Sequence, residues 1–330
     1  MSRRWGLALA LLAALAVAMV LGVRFGPVHL TTGEVLTALA GGGPEWQRQI
    51  VVELRLPRML LGALVGGGLA LAGATFQALL RNPLAEPYIL GISGGASVGA
   101  VLVLALGLAG AASWALPLAA LAGAVLAIVL VFRVATSAGR ALDVRVLLLA
   151  GVVVAAFFGA CIAFILSISE ARTVQSAVLW IMGSLAGATW RSVTVAAAYT
   201  LPAALLLVGL ARPLNLMAIG EETALYLGAD VEKVKRMALG LAALVTAAGV
   251  AVAGVIGFVG LVVPHAIRLM VGSDHRVLMP LSFLGGATFL VLSDIVAQVL
   301  LAPTQLPVGV ITAFVGVPLF LVLLRRSLIA

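Results

Sequence analysis

Charge-free runs of about twenty residues recur from one end of the chain to the other, and they set the fold. A helix needs about twenty apolar residues to cross the hydrocarbon of a bilayer. Inside that hydrocarbon, only helices and closed barrels satisfy their own backbone polar groups. Residues 5–23, 59–80, 146–169, 192–211, 277–301 and 308–324 each predict one span. Residues 87–132 are too long for one helix and break at 107–114, Gly-Leu-Ala-Gly-Ala-Ala-Ser-Trp, giving two more. Residues 237–264 also exceed one span, and Gly254 with Gly257 predicts a turn there, so a seventh span is followed by a short eighth ending near Arg268. Pro303 and Pro307 end the ninth. The reading is an all-α polytopic membrane protein of ten spans, one domain over residues 1–330.

Composition excludes the soluble alternatives. Hydrophobic residues make up 63% of the chain, charged ones 10%, and the mean hydropathy is +1.24. The formal charge of +8 would suggest nucleic acid in a soluble protein. Here the excess of basic residues in inward-facing loops explains it. The single cysteine, Cys161 in an apolar run, excludes an internal disulfide framework and a cysteine metal cluster. Arg3 and Arg4 precede the first run without a polar cleavage region after it, so an uncleaved first span is expected.

Ten spans divide the 20 Lys and Arg into fourteen on the side of the N-terminus and six opposite. That bias predicts both termini cytoplasmic in the inner membrane of a bacterium. It also puts the most polar long stretch, residues 212–236, in the cytoplasm. There Gly220 to Leu227 reads as a short helix with Glu221 and Glu222 at its positive end. Gly228 is a stop, and Asp230 an N-cap for the next helix. Such a stretch is either a solvated loop or a docking element. On the other side, residues 24–58 hold an interfacial helix beginning at Thr32, and residues 170–191 a helix lying on the surface, with Trp180 and Trp190 at the membrane–water boundary. Gly91, Gly95 and Gly99, Gly62 with Gly66, and Gly183 with Gly187 fall at the spacing that lets helices approach closely.

Ion-coupled carriers and intramembrane enzymes need ionisable groups deep in the membrane. The spans offer Asp294, about 17 residues into the ninth and so roughly 25 Å from its inner edge, near the outer interface. His265 follows Pro264 near a helix end, as a local hydrogen-bonding residue, and His29 and His275 are in loops. Two rival readings are a ten-span ion-coupled secondary transporter, and an intramembrane serine protease using Ser93 of Gly91-Ile-Ser-Gly94. The protease would need a histidine beside Ser93. There is no Gly-x-x-x-x-Gly-Lys-[Ser/Thr] loop, so nucleotide hydrolysis would have to come from another subunit. The chain reads as the membrane half of a pump energised from outside.

Eight stretches, in order, carry a family resemblance: Arg55-Leu-Pro-Arg58, Gln77-Ala-Leu-Leu-Arg-Asn-Pro-Leu-Ala-Glu-Pro87 leading into Gly91-Ile-Ser-Gly-Gly-Ala-Ser97, Trp180-Ile-Met-Gly-Ser184, Leu216-Met-Ala-Ile-Gly-Glu221, Gly257-Phe-Val-Gly-Leu-Val-Val-Pro-His265, Asp274-His-Arg276, Ser293-Asp-Ile-Val-Ala297 and Leu306-Pro-Val-Gly309. The chain thereby resembles the permease subunits of type II ABC importers for iron chelates and siderophores, haem and vitamin B12, the FecCD-type permeases. The resemblance covers residues from about Arg55 to Arg326.

It implies a homodimer with the pathway along its interface, two ABC ATPase subunits below and an extracytoplasmic substrate-binding protein above. Membrane lipid surrounds the dimer, and nucleic acid has no role. The permease is then no enzyme by itself. It binds no cofactor or metal, and ATP and magnesium belong to the ATPase. Coupling helices are expected within residues 212–236, with Ile219, Glu221, Glu222, Leu225, Tyr226 and Leu227 as contacts. Arg55 and Arg58 match arginines that receive the binding protein's carboxylates, and Gln298 stands where some relatives carry a third. Ser93, Ser97, Phe157, Phe158, Phe164 and Ser167 are the expected pathway residues. The inner gate maps to Asp143, Val144 and Arg145, the arginine departing from a small neutral residue. Cobalamin, siderophore and haem carriers share all these motifs.

Overall fold

Runs of Leu, Ala and Val have no water partner for their backbone in hydrocarbon, so each closes its hydrogen bonds within a helix. A computed structural model of the chain describes residues 2–110, 114–137 and 144–329, and no strand occurs among them. In order come α1 (Ser2–Arg24), α2 (Thr32–Leu39), α3 (Glu45–Arg48), α4 (Leu56–Leu79), α5 (Ile92–Ala105), α6 (Ala115–Ser137), α7 (Val144–Ser167) and α8 (Ala171–Ile181). Then follow α9 (Trp190–Gly209), α10 (Ala211–Ile219), α11 (Glu221–Tyr226), α12 (Val231–Ala253), α13 (Val259–Val271), α14 (His275–Val299) and α15 (Val308–Ile329). Segments in α1, α4, α6, α7, α9, α12 and α14 are long and apolar enough to cross a bilayer, while α5, α13 and residues 308–322 of α15 are shorter apolar helices. These ten helices fall on the ten runs read as spans from the sequence, seven of them with the length and composition to cross.

The second span departs from the reading at its start. It was expected from Met59, yet helix is continuous from Glu45, through a π-helical turn at Gln49–Arg55, into α4. Pro57 falls in the first turn of α4, directly after the π-helical turn. The interfacial helix is α2, closed by a capping box: Glu34 N–H donates to the Thr31 hydroxyl, and Thr31 N–H to the Glu34 carboxylate. Those same Thr31 donors hold Glu34 below the usual carboxylate range. The surface helix is α8, and α9 begins at Trp190 behind a second capping box.

The bundle is organised around α4, with 83% of its apolar window buried against 17% for α1. Small residues make this possible. A Cβ on Gly66 would run into the Gly286 carbonyl of α14, and one on Gly286 into Gly66, so the two backbones touch. Gly73 meets the Gly260 carbonyl of α13 in the same way, and Gly95 and Gly99 of α5 meet Gly123 and Ala119 of α6. Gly91 serves a different purpose, turning the chain at φ 70° before α5. Gly183 likewise turns at φ 73°, and Gly187 has open space around it, so that pair is no packing stripe.

Two unwound segments meet inside the bundle. Residues 80–91 connect α4 to α5, and Gly254–Phe258 connects α12 to α13. Backbone freed from a helix at such depth must find partners within the protein. Tyr88 supplies two: its hydroxyl donates to the Ile256 carbonyl at 3.1 Å and accepts from Ile256 N–H at 3.2 Å. The Glu86 carboxylate accepts from Phe258 N–H at 2.8 Å, and Phe258 sits at φ 68° just before α13. Gln77 adds a bond to the Leu261 carbonyl at 3.1 Å.

Candidate functional site

The antiparallel pairing of α4 with α14 defines two ends of the bundle. Arg58, Asp294, Gln298 and Gln305 share one, the Arg58 end. Arg81, Asn215, Tyr226, Lys235 and Asp274 mark the other, the Tyr226 end.

At the Arg58 end the three expected docking residues are brought into ordered networks, and their chemistry differs from the expectation. Arg55 is buried in the π-helical turn and donates to the carbonyls of Val23 (2.9 Å), Arg24 (2.7 Å) and Val28, closing the end of α1. Arg58 grips Asp294 with two parallel bonds of 2.8 and 2.9 Å and reaches Gln305 at 2.7 Å. Gln298, one turn beyond Asp294, donates to the same carboxylate at 2.8 Å. Asp294 has no solvent contact at all. Both guanidiniums are therefore occupied by partners within the chain. The physical reason is that burial leaves each charge needing a local acceptor. The same end carries α2 and α3, with Trp46 exposed, and Trp190 Nε1 bonded to the Val52 carbonyl at 3.1 Å.

At the Tyr226 end the polar stretch forms two short helices, α10 and α11, broken at Gly220. Gly228 stops α11 at φ 84°, and Asp230 caps α12 by accepting from Lys233 N–H at 3.1 Å. The apolar side chains expected to make contacts stand outward: Tyr226 is 91% exposed and Ile219 72%, with Leu225 and Leu227 exposed beside them. Glu222 is exposed too. Glu221 is the exception. Its Oε2 accepts from Lys235 Nζ at 2.6 Å, and its Oε1 lies 3.9 Å from Arg81. Nearby, Asn215 of α10 bonds both Asp274 (2.8 Å) and the ring of His275 (2.7 Å). The Asn215 amide, with the Arg276 N–H and the charges of Arg276 and Arg4, holds the Asp274 carboxyl below its usual range.

The expected pathway residues divide. Phe157, Phe164 and Ser167 stand exposed on one face of α7, whereas Phe158 and Ser97 are buried and Ser93 is half-buried. Phe157 and Phe158 have ring centroids 5.7 Å apart. None of the six lines a cavity of about 580 Å³ that lies between the end of α8, the α12–α13 linker and α15. Its walls include Met182, Val255, Val310, Phe314 and Val317, all uncharged. Sequence reasoning missed this wall. The available signal was Gly309 with Gly316, which press α15 against Met182 and Phe258. Of the expected gate, Asp143 lies outside the described residues, as do the side chains of Val144 and Arg145.

The serine protease reading fails here. His265 has both ring nitrogens buried without a hydrogen-bond partner, so no bond joins it to Ser93. The expectation that this histidine bonds locally is corrected at the same time. Among the described residues no group of three His, Cys, Asp or Glu side chains is arranged to hold a metal ion. Glu86, a residue without a role in the sequence reading, has its carboxylate between the two unwound segments.

Comparison with known proteins gives a consistent picture. The profile of the FecCD transport family matches residues 14–326. A cobalamin import system permease protein of Halobacterium salinarum is 46% identical over 86% of this chain and 75% of its own length. A hemin transport system permease protein of Yersinia pestis is 41% identical over 84% of each chain. A solved structure, described as an inward-facing conformation of the metal-chelate type of ABC transporter, superposes with a TM-score of 0.86 at 30% identity, covering 98% of both chains.

Proposed function

The chain belongs to the FecCD transport family, and from that membership we propose that it works as the membrane-spanning permease of an ATP-driven importer for a bulky metal chelate. The cargo is of the cobalamin, haem or siderophore kind. The chain binds no cofactor of its own, and ATP with magnesium is used by a separate ATPase subunit. Two copies form the pathway between them, the Tyr226 end facing the cytoplasm and the Arg58 end facing a substrate-binding protein.

The observation that carries this reading is the outward apolar cluster at the Tyr226 end. Ile219, Leu225, Tyr226 and Leu227 leave a large hydrophobic surface uncovered at the end of a bundle where charged residues gather. A tyrosine standing almost fully in solvent beside two leucines is the pattern of a contact surface, since aromatic residues anchor interfaces. The charge bias of the sequence assigns this end to the cytoplasm, where an ATPase is available. Above it, the exposed face of α7 and the uncharged cavity against α15 suit a large, weakly polar chelate that is passed along rather than gripped.

The test is co-purification with the cognate ATPase. Tyr226→Asp with Leu225→Asp places charge in the apolar contact and should weaken association about a hundredfold. Membrane insertion should be unaffected. ATPase association at wild-type strength would remove α11 from the interface.

A further inference from the structure

One carboxylate of the α10–α11 pair reaches two other elements, beside the Asn215 bonds of α10 to Asp274 and His275. Lys235, in the second turn of α12, has a side chain only 6% exposed, and its Nζ donates to Glu221 at 2.6 Å. Its other acid neighbour, Glu232, is farther away at 3.7 Å. An exposed ion pair would count for little. A buried ammonium is different, because removing Glu221 takes the nearest counter-charge from a poorly solvated place. Lys235 therefore holds Glu221, and α11 with it, against α12.

On its other side Glu221 faces Arg81, at 3.9 Å. Arg81 follows α4 in a left-handed turn, φ 47°, and the same Nη2 donates to the Met217 carbonyl of α10 at 2.9 Å. Cationic side chains favour this position, since the last carbonyls of a helix have no partner within it. One carboxylate thus stands between the head of segment 81–91 and the foot of α12. The same segment also meets the linker that follows α12, where Glu86 and Tyr88 hold Phe258 and Ile256. The two anchors of Glu221 and that inner junction form a closed mechanical loop.

We infer that Glu221 is a positioning residue that passes motion of α10 and α11 to α4 and α12, and not a contact for the ATPase. The inference rests on the reading above that this pair is the ATPase docking element. Apolar side chains receive the partner, and Glu221, half-exposed but bonded to Lys235, delivers the displacement to the bundle. A displaced α11 cannot move independently of α12 without breaking the Glu221–Lys235 bond.

The experiment uses the assembled complex of permease, ATPase and binding protein in proteoliposomes, and reads chelate moved per ATP hydrolysed. Glu221→Gln should lower that ratio about tenfold while ATPase association and hydrolysis continue. Glu221→Asp, keeping the charge, should retain most of it. Glu221→Gln combined with Lys235→Gln should be no worse than Glu221→Gln alone, because the pair acts as one unit. If Glu221→Gln is not recovered from membranes, that double variant, lacking both charges, supplies the ratio. A wild-type ratio in either variant, or losses that multiply in the double, overturns the inference. Loss of ATPase association in Glu221→Gln would instead make it a contact. A wild-type complex without ATP-driven uptake would sink the importer reading itself, a result distinct from these.

Discussion

A carboxylate without solvent contact, such as Asp294, persists in an apolar bundle because Arg58 meets both of its oxygens and Gln298 adds a third donor. Removing one partner of such a pair leaves an uncompensated buried charge. Arg58→Met should destabilise the chain by about 3 kcal/mol, read as lowered thermal stability in detergent, and unaltered stability would contradict a buried Arg58–Asp294 pair. Asp274 gives a pH-dependent counterpart outside the spans. Its folded pKa is depressed, so its contribution is present above the ordinary carboxylate range and is lost as pH falls through the folded value. Asp274→Asn should flatten that acid limb of the stability profile, and an unchanged profile would count against the Asn215 and Arg276 contacts. The residue types at these positions were legible in the sequence. Their partners were not, since Arg58 and Asp294 lie 236 positions apart and nothing local marks the pairing.

Helix against helix, the fold depends on glycines whose hydrogen is all that fits. Gly66 and Gly286 each face the other's backbone, so a side chain at either site must drive α4 from α14. Gly66→Val should cost about 2 kcal/mol, whereas Gly187→Ala, with open space around it, should stay within about 0.5 kcal/mol. Comparable thermal shifts in both variants would contradict this. Long charge-free runs made every span legible, including the break that yields α12 and α13 at Gly254. The start of the second span was not, because Arg55 and Pro57 look like loop residues until burial against the bundle is seen. The unwound 80–91 segment escaped for a related reason. Its Tyr88 and Glu86 side chains satisfy the backbone of a linker some 170 residues later, as the separations of 168 and 172 positions show.

At the scale of the whole molecule the two ends differ in kind. The Arg58 end is a set of internally closed polar networks, and the Tyr226 end leaves apolar side chains uncovered around a pinned carboxylate. This asymmetry suits a bundle pushed from one side while it opens and closes toward the other. Glu86 is the feature an ion-coupled carrier would need, an acid between unwound segments, but its carboxylate is engaged by Phe258 N–H. The most direct test of the account is chelate uptake into proteoliposomes holding the chain with its ATPase and binding protein, with all ion gradients collapsed by ionophores. Uptake should continue while ATP is hydrolysed and cease with a non-hydrolysable analogue. Uptake that follows an imposed proton or sodium gradient in the absence of ATP would contradict it.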